Sequence, residues 1–584
     1  MTYTPPINLL TYLLKHAVDW QALLQTEAHR DLSDELASDI LGGAAAFASD
    51  VLAPLNRDGD QFGARLEAGK VTTAPGFKQA YQDFVGAGWQ GLSAPAEIGG
   101  MGLPQTLGVM VAEMFYGANM AFGLCPMLTG SAINAIAAHA NEEIKSAYLP
   151  KMVSGEWSGA MNLTEPQAGS DLGALRCKAV PNGDGSYALT GQKIFITWGE
   201  HDCAENIIHL VLARLPDAPQ GSRGISLFLA PKILPDGTRN HVGAIGLEHK
   251  MGIHGSPTCV MEFDGATGFL IGAENRGLAC MFTMMNEARL YVGVQGVGIG
   301  ERAYQQALAY ANERVQGRVD GAPPGTPILG HGDVKRMLLE MKTGLMGARV
   351  LNLATAWATD MSHCAQDEAM RKKMAARAAL LTPLAKACGS DMGVKASSLG
   401  VQVHGGMGYI EETGAAQHYR DARIAPIYEG TNGIQALDFI GRKVRRDGGQ
   451  AMAALMDELG LVLERARQLQ SRDGIDLGDG ITHLEAGLSA MRTANTRALN
   501  AADSDVQAIA VPYLKLCADV VAGAYLLGAV LNGFEAGDAQ AAHMQKLVWY
   551  YTLGVLAKAP QGLAQIMAGA QPIHAVSNQY LADL

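Results

Sequence analysis

Through roughly the first 160 residues, apolar positions recur three and four apart, as in SDELASDILGGAAAFASDVL, FKQAYQDFVGAGW and PQTLGVMVAEMFYGANMAFG. That spacing places them on one face of a helix. A Pro- and Gly-rich stretch at Pro95–Gly102 predicts a loop between these helices. After Met161 the period shortens. SYALTGQKIFITWG, NIIHLVLARL, GISLFLA and SPTCVMEFDGATGFLIG are short, rich in β-branched and aromatic residues, and punctuated by Gly and Pro. They predict an antiparallel β region. Helical spacing returns near Leu278, first as one long amphipathic run from MFTMMNEARL to YANERVQG, then as further helices in series. Short breaks between long helices point to a bundle. From about Arg446 the chain is Ala- and Leu-rich with weak Gly breaks, which reads as an added helical region.

The expected organisation is therefore a helical domain over 1–160, a middle β-domain over 161–275, a four-helix bundle over 276–445 and a further helical domain over 446–584. The fold class is α+β, mainly α. The chain has 584 residues, room for several domains. Its 48% hydrophobic and 17% charged residues match a globular protein with large cores. A net charge of −12 disfavours nucleic acid as a partner. The eight cysteines are scattered and form no CxxC, which predicts free thiols in a reducing compartment. The N-terminus lacks the pattern of a signal or transit peptide. No uninterrupted run of about 18 apolar residues occurs, so no membrane span is expected and the cytoplasm is the default.

Several motifs are set aside on their context. Gly298–Ala303 reads GIGERA and matches GxGxxA, but a dinucleotide fingerprint follows a strand, and here a helical pattern runs through it. It is read as small residues where two helices approach closely. HExxH, GxxxxGK[ST] and GxSxG are absent, and no metal site is expected.

Two stretches carry more. MNLTEPQAGSDLGALRCKA predicts a polar turn that opens the β region and offers backbone N–H groups and hydroxyls to a ligand. QVHGGMGYIEETGAAQHYRDARIAPIYEGTNGIQ contains Gln402, Gly405 and Gly406, read as a loop allowing close backbone approach to a cofactor. It then places Glu429 between Tyr428 and Gly430 in an apolar setting. Such surroundings raise a carboxyl pKa toward the range of a general base.

Together these stretches, with SAPAEIGGMGL, GQKIFITWG and EGTNGIQ, resemble the acyl-CoA dehydrogenase family over about Gly91 to Val444. Length, the TYTPPI start, EHKMGIHGSPTC and MFTMMNEARL are most similar to the long bacterial subgroup that includes 3-methylmercaptopropionyl-CoA dehydrogenase. The resemblance implies FAD-dependent oxidation of an acyl-CoA to its trans-2-enoyl form, with 3-methylthiopropionyl or short to medium acyl chains as candidates. It implies Glu429 as the base. It places Met161, Leu163 and Thr164 against the flavin, and Phe195 and Thr197 beside its ring. Arg314, Gln316, Gln402, Gly405 and Gly406 would hold the pyrophosphate and adenine side, usually from a neighbouring subunit, with Thr431 as a further contact. Ser170, Arg289, Tyr428 and Gly430 fall on the substrate side. A homodimer or homotetramer and an electron-transfer flavoprotein as electron acceptor are implied as well. An acyl-CoA oxidase, a DNA-associated flavoprotein of the same family and a non-catalytic acyl-CoA-binding protein are the rival readings. Two departures stand out: ERVQGR lacks the aromatic common after the first bundle helix, and Gly433 stands where many members carry Gln.

Overall fold

A computed structural model describes residues 3–470 and 475–583. Seven strands form the middle of the chain: β1 (Trp157–Asn162), β2 (Lys178–Pro181), β3 (Tyr187–Thr197), β4 (Asn206–Ala213), β5 (Ser226–Pro231), β6 (Val242–Leu247) and β7 (Thr258–Ile271). Their order is β1-β4-β5-β7-β3-β2, with β6 also paired to β7. All pairs are antiparallel except β1 with β4. The parallel pair arises because the chain leaves β1 through the TEPQAGSD turn and the β2–β3 hairpin before returning beside β1. β4 and β5 are buried at every position, matching their continuous apolar runs.

Six helices frame the site: α1 (Gln105–His139), α2 (Gly277–Glu313), α3 (Gly332–Cys364), α4 (Glu368–His404), α5 (Asn432–Asp438) and α6 (Asp503–Glu535). α2, α3 and α4 pack lengthwise, α5 closes against α4, and α1 lies along α2. GIGERA lies within α2. A Cβ on Gly298 would stand 2.7 Å from the Glu113 carbonyl oxygen, and one on Gly300 2.5 Å from Leu345, so small residues there let α1 and α3 approach. α1 is not one straight helix. Asn119 leaves helical geometry (φ −157°, ψ 92°), and its Oδ1 accepts from the Phe122 N–H at 3.1 Å, capping a second segment.

The helices after residue 446 fold back on the bundle. α6 packs on α3, α4 and α5, and on the first helix of the chain, where Tyr12 donates to the Ala529 carbonyl at 3.1 Å. α1 and α6 are each long and apolar enough to cross a membrane by length and composition, which amends the expectation drawn from uninterrupted runs. In both, 78% of the apolar window is buried inside the protein, so helix packing accounts for the composition. All eight cysteines are free thiols.

Candidate active site

Residues 424–432 form a tight loop between two short helices. The Asn432 N–H closes it onto the Pro426 carbonyl at 3.0 Å, and the Thr431 hydroxyl caps α5 by accepting from the Ile434 N–H at 3.2 Å. At the crest Glu429 has φ +55°, a left-handed conformation that a glutamate rarely takes. Gly430 follows at φ +81°, and a Cβ there would meet the Gln435 amide at 2.8 Å. Gln435 is fully buried and donates to the Glu429 carbonyl at 3.1 Å, which fixes the peptide plane. Among the described residues the Glu429 backbone N–H has no acceptor.

The Glu429 carboxyl is half-buried, and loss of hydration pushes its pKa up to about 7. Arg289 and then Lys386 pull the other way. Arg289 is buried on α2, 3.9 Å from Asp438 and donating to Asn286 at 3.1 Å, while its Nε has no partner among the described residues. Lys386, on α4, is fully buried and donates to Asn432 Oδ1 at 2.8 Å. Burial lowers its pKa to about 8, with Glu429 and Asp391 opposing that shift. Tyr428 donates to Gln295 Oε1, and Gln295 Nε2 points onto Met127 Sδ at 3.1 Å. Glu429, Tyr428, Gly430, Thr431 and Arg289 thus form one cluster. Lys386, Asn432, Gln435 and Gln295 belong to it and escaped the sequence reading. A lysine and an asparagine inside helical patterns carry no local signal of sharing a charge.

A second cluster sits on the sheet. Two residues, Ile194 and Phe195, face one partner between the pairs Lys193–Met261 and Ile196–Cys259, a bulge in β3. Phe195 takes φ +61° there, which turns its ring out of the core and leaves it 59% exposed. Thr197 is half-buried two residues on. The Ile194 N–H donates to the Thr164 carbonyl at 2.9 Å, placing Met161, Leu163 and Thr164 beside the bulge. Glu165 in the adjoining turn points inward. It accepts from Lys193 at 2.8 Å and from the Arg176 and Cys177 N–H groups at 2.6 and 3.0 Å. Burial alone would raise its pKa; Lys193 and the two backbone donors more than offset that, and the net shift is downward. Ser170 lies exposed beyond this turn.

A third cluster lies at the far ends of α2 and α4, where Tyr310 stacks on His404 at 4.5 Å. Arg314 and Gln316 are exposed there, 3.4 Å apart. Gln402 is not in a loop but in the last turn of α4, because the helix runs on to His404. Gly405 (φ +60°) ends it, and Gly405 and Gly406 face open space. The 25-residue separation of Arg289 and Arg314 takes up the last two thirds of α2, roughly 37 Å at the helical rise, so this cluster is remote from the same chain's Glu429.

Three family models cover most of the chain: the acyl-CoA dehydrogenase N-terminal domain over 35–156, the middle domain over 160–266 and the C-terminal domain over 275–444. The chain belongs to the acyl-CoA dehydrogenase family. It is 50% identical over 505 residues to 3-methylmercaptopropionyl-CoA dehydrogenase of Ruegeria pomeroyi, covering 83% of this chain and 85% of that one. A butyryl-CoA dehydrogenase of Syntrophomonas wolfei is 39% identical over 464 residues, 76% of each chain. Among solved structures, Caenorhabditis elegans ACDH-11 in complex with C11-CoA superposes with TM-score 0.78 at 20% identity, over 95% of this chain and 91% of that one. That match in fold extends into the helices after residue 446. Megasphaera elsdenii butyryl-CoA dehydrogenase superposes with TM-score 0.59 at 28% identity, over 70% of this chain and 97% of the other. This acyl-CoA dehydrogenase is accordingly an oxidoreductase.

Proposed function

We propose that the protein oxidises a short acyl-CoA thioester, of which 3-methylthiopropionyl-CoA is the leading candidate, to its 2-enoyl form, with Glu429 as the base. The observation that carries this reading is a glutamate held in left-handed backbone, its pKa brought near 7, beside a free backbone N–H. A base with a pKa near the working pH takes up the α-proton most effectively. Proton loss puts negative charge on the thioester oxygen, and the Glu429 N–H is a preorganised donor for that charge. Gln435 keeps the donor aimed by gripping the carbonyl of the same residue. Arg289 and Lys386 keep part of the carboxyl population ionised near neutrality.

The residues present fit FAD. An exposed aromatic turned out by a bulge, half-buried Thr164 and Thr197, the exposed guanidinium of Arg314 and two glycines facing open space suit a large flat cofactor with a charged tail. Met161, Leu163, Thr164, Phe195, Thr197 and Thr431 would hold the ring end; Arg314, Gln316, Gln402, Gly405 and Gly406 would hold the pyrophosphate and adenine end. FAD, when bound, supplies the acceptor for the β-hydride. Ser170, Arg289, Tyr428 and Gly430 are assigned to the substrate side. The distance along α2 supports a second copy of the chain as the source of the tail-end residues. An electron-transfer flavoprotein is the expected electron acceptor.

Anaerobic mixing of the holoenzyme with 3-methylthiopropionyl-CoA is expected to bleach the flavin absorbance, and Glu429→Gln to keep the yellow colour while turnover drops at least about 1,000-fold. Substantial residual turnover in that variant would remove Glu429 as the base. Rapid oxygen consumption would identify an oxidase instead.

A further inference from the structure

A cavity of about 100 Å³ lies between α1, α2 and the Phe84–Ala94 segment. Its origin is the break in α1. Asn119 kinks the helix and Pro126 interrupts its hydrogen bonding, and Gly108, Gly123 and Gly130 leave the wall without side chains. The cavity is well below the roughly 300–1,000 Å³ of pockets for drug-sized ligands, so it suits a short chain. Met127 lines it, and the Met127–Gln295–Tyr428 contacts link that wall to the Glu429 loop.

The rest of the lining is aromatic with one polar corner. Trp89, Phe115 and Tyr116 supply ring edges, while Glu287 and Asn134 supply the polar groups. Glu287 accepts from Asn134 Nδ2 at 2.8 Å and pairs with no Lys, Arg or His among the described residues. Burial pushes its pKa up to about 7, with Asn134 and then Ser131 opposing, so a large share of it carries a proton at neutral pH and is a hydrogen-bond donor. Gln90 is 7% exposed, and among the described residues its Oε1 has no partner; Ser93 Oγ and Trp89 Nε1 in the same wall likewise have none among them. A cavity for a plain hydrocarbon tail needs none of these polar groups, since each costs free energy unless satisfied.

Building on the function proposed above, we propose that Glu287 is a specificity-determining residue that selects short acyl chains carrying a thioether. A divalent sulfur is polarisable and makes favourable contacts with ring edges, and its lone pairs accept from a donor. A methylene in its place does neither. Asn134 is the positioning residue that holds the Glu287 carboxyl toward the cavity.

The test compares two substrates of the same length, 3-methylthiopropionyl-CoA and pentanoyl-CoA, on the holoenzyme. The wild type is expected to favour the thioether in kcat/KM by roughly tenfold, mainly through KM. Glu287→Leu is expected to bring the ratio near one or reverse it, while Glu287→Gln, which keeps a donor, retains most of the preference. Gly130→Val, which narrows the cavity from the other side, is expected to lower kcat/KM for both relative to propionyl-CoA; this variant decides the location if Glu287→Leu does not fold. Equal ratios in the wild type and Glu287→Leu, with both thioesters turned over, would overturn the role of Glu287 and leave the base assignment standing. Failure of every thioester to react would instead overturn the function proposed above.

Discussion

Lys386 is a fully buried ammonium whose direct partner is an amide oxygen rather than a carboxylate. Such a cation is costly to bury, and it is retained beside a carboxyl that must ionise to work. Removing it leaves burial less opposed at Glu429. The pKa of the base then moves above 7, since Lys386 is one of the two groups holding it down. A larger share of Glu429 is protonated at neutral pH, and a protonated base cannot accept the α-proton. Lys386→Met is therefore expected to shift the acid limb of the kcat/KM–pH profile upward by about one pH unit and to lower turnover several-fold at pH 7, with recovery at alkaline pH. An unmoved limb with uniformly lower activity would show that Lys386 only braces Asn432. The strained residues tell a related story at this scale. Phe195 and Glu429 both take positive φ, and both lie in stretches, GQKIFITWG and the Tyr428–Gly430 loop, that carry the family resemblance. Non-glycine residues persist in that region where the surroundings over-determine them, as a bulge does for Phe195 and Gln435 does for Glu429.

Between elements, the principal polar tie is a buried triad. Arg349 of α3 donates through Nε to both oxygens of Glu113 on α1, at 2.8 and 3.0 Å, and through Nη2 to Glu301 on α2 at 2.9 Å. All three side chains are essentially inaccessible. Arg349→Met would leave two carboxylates buried beside each other, with Lys342 3.8 Å from Glu301, and is expected to cost about 3–5 kcal/mol, read as a lowered melting temperature of the holoenzyme. A melting temperature within a degree or so of wild type would mean that water enters the triad. The same triad marks what the chain pattern shows and what it hides. The helix-to-strand-to-helix progression was legible because the period of apolar residues changes with the element, and β4 and β5 read as continuous apolar runs. The Glu429 loop was legible because its residues are contiguous. The kink of α1 was not, since Asn119 breaks the helix without breaking the apolar pattern. The single parallel pair was not, because pairing direction depends on the path of the chain between strands. Gln402 reads as loop beside two glycines, yet helical geometry persists to His404. Lys386, Gln435 and Glu287 reach the site from separate helices, and such meetings are set by packing alone.

For the whole molecule the decisive length is that of α2. With Arg289 a third of the way along α2 and Arg314 just past its C-terminal end, roughly 37 Å apart at the helical rise, the two clusters cannot both serve one ring-and-tail cofactor within one chain. If a neighbouring copy supplies the tail-end residues, the isolated chain holds two half-sites, and closed two-fold symmetry makes both whole. Exposed apolar groups around the third cluster agree with this, with Met407 and Ile410 about half exposed and Tyr409 86% exposed. The consequence is measurable by mixing defects. Glu429→Gln and Arg314→Ala chains are each expected to be poorly active alone. In a hybrid dimer one site receives both lesions and the other receives neither. Random association of equal amounts then gives hybrids in half of the dimers, so about a quarter of all sites are intact. Co-refolding or co-expression of the two variants should restore turnover toward that fraction, with a KM for the acyl-CoA equal to the wild-type value. If Arg314 serves the site of its own chain, every site in the mixture carries a lesion and no activity returns.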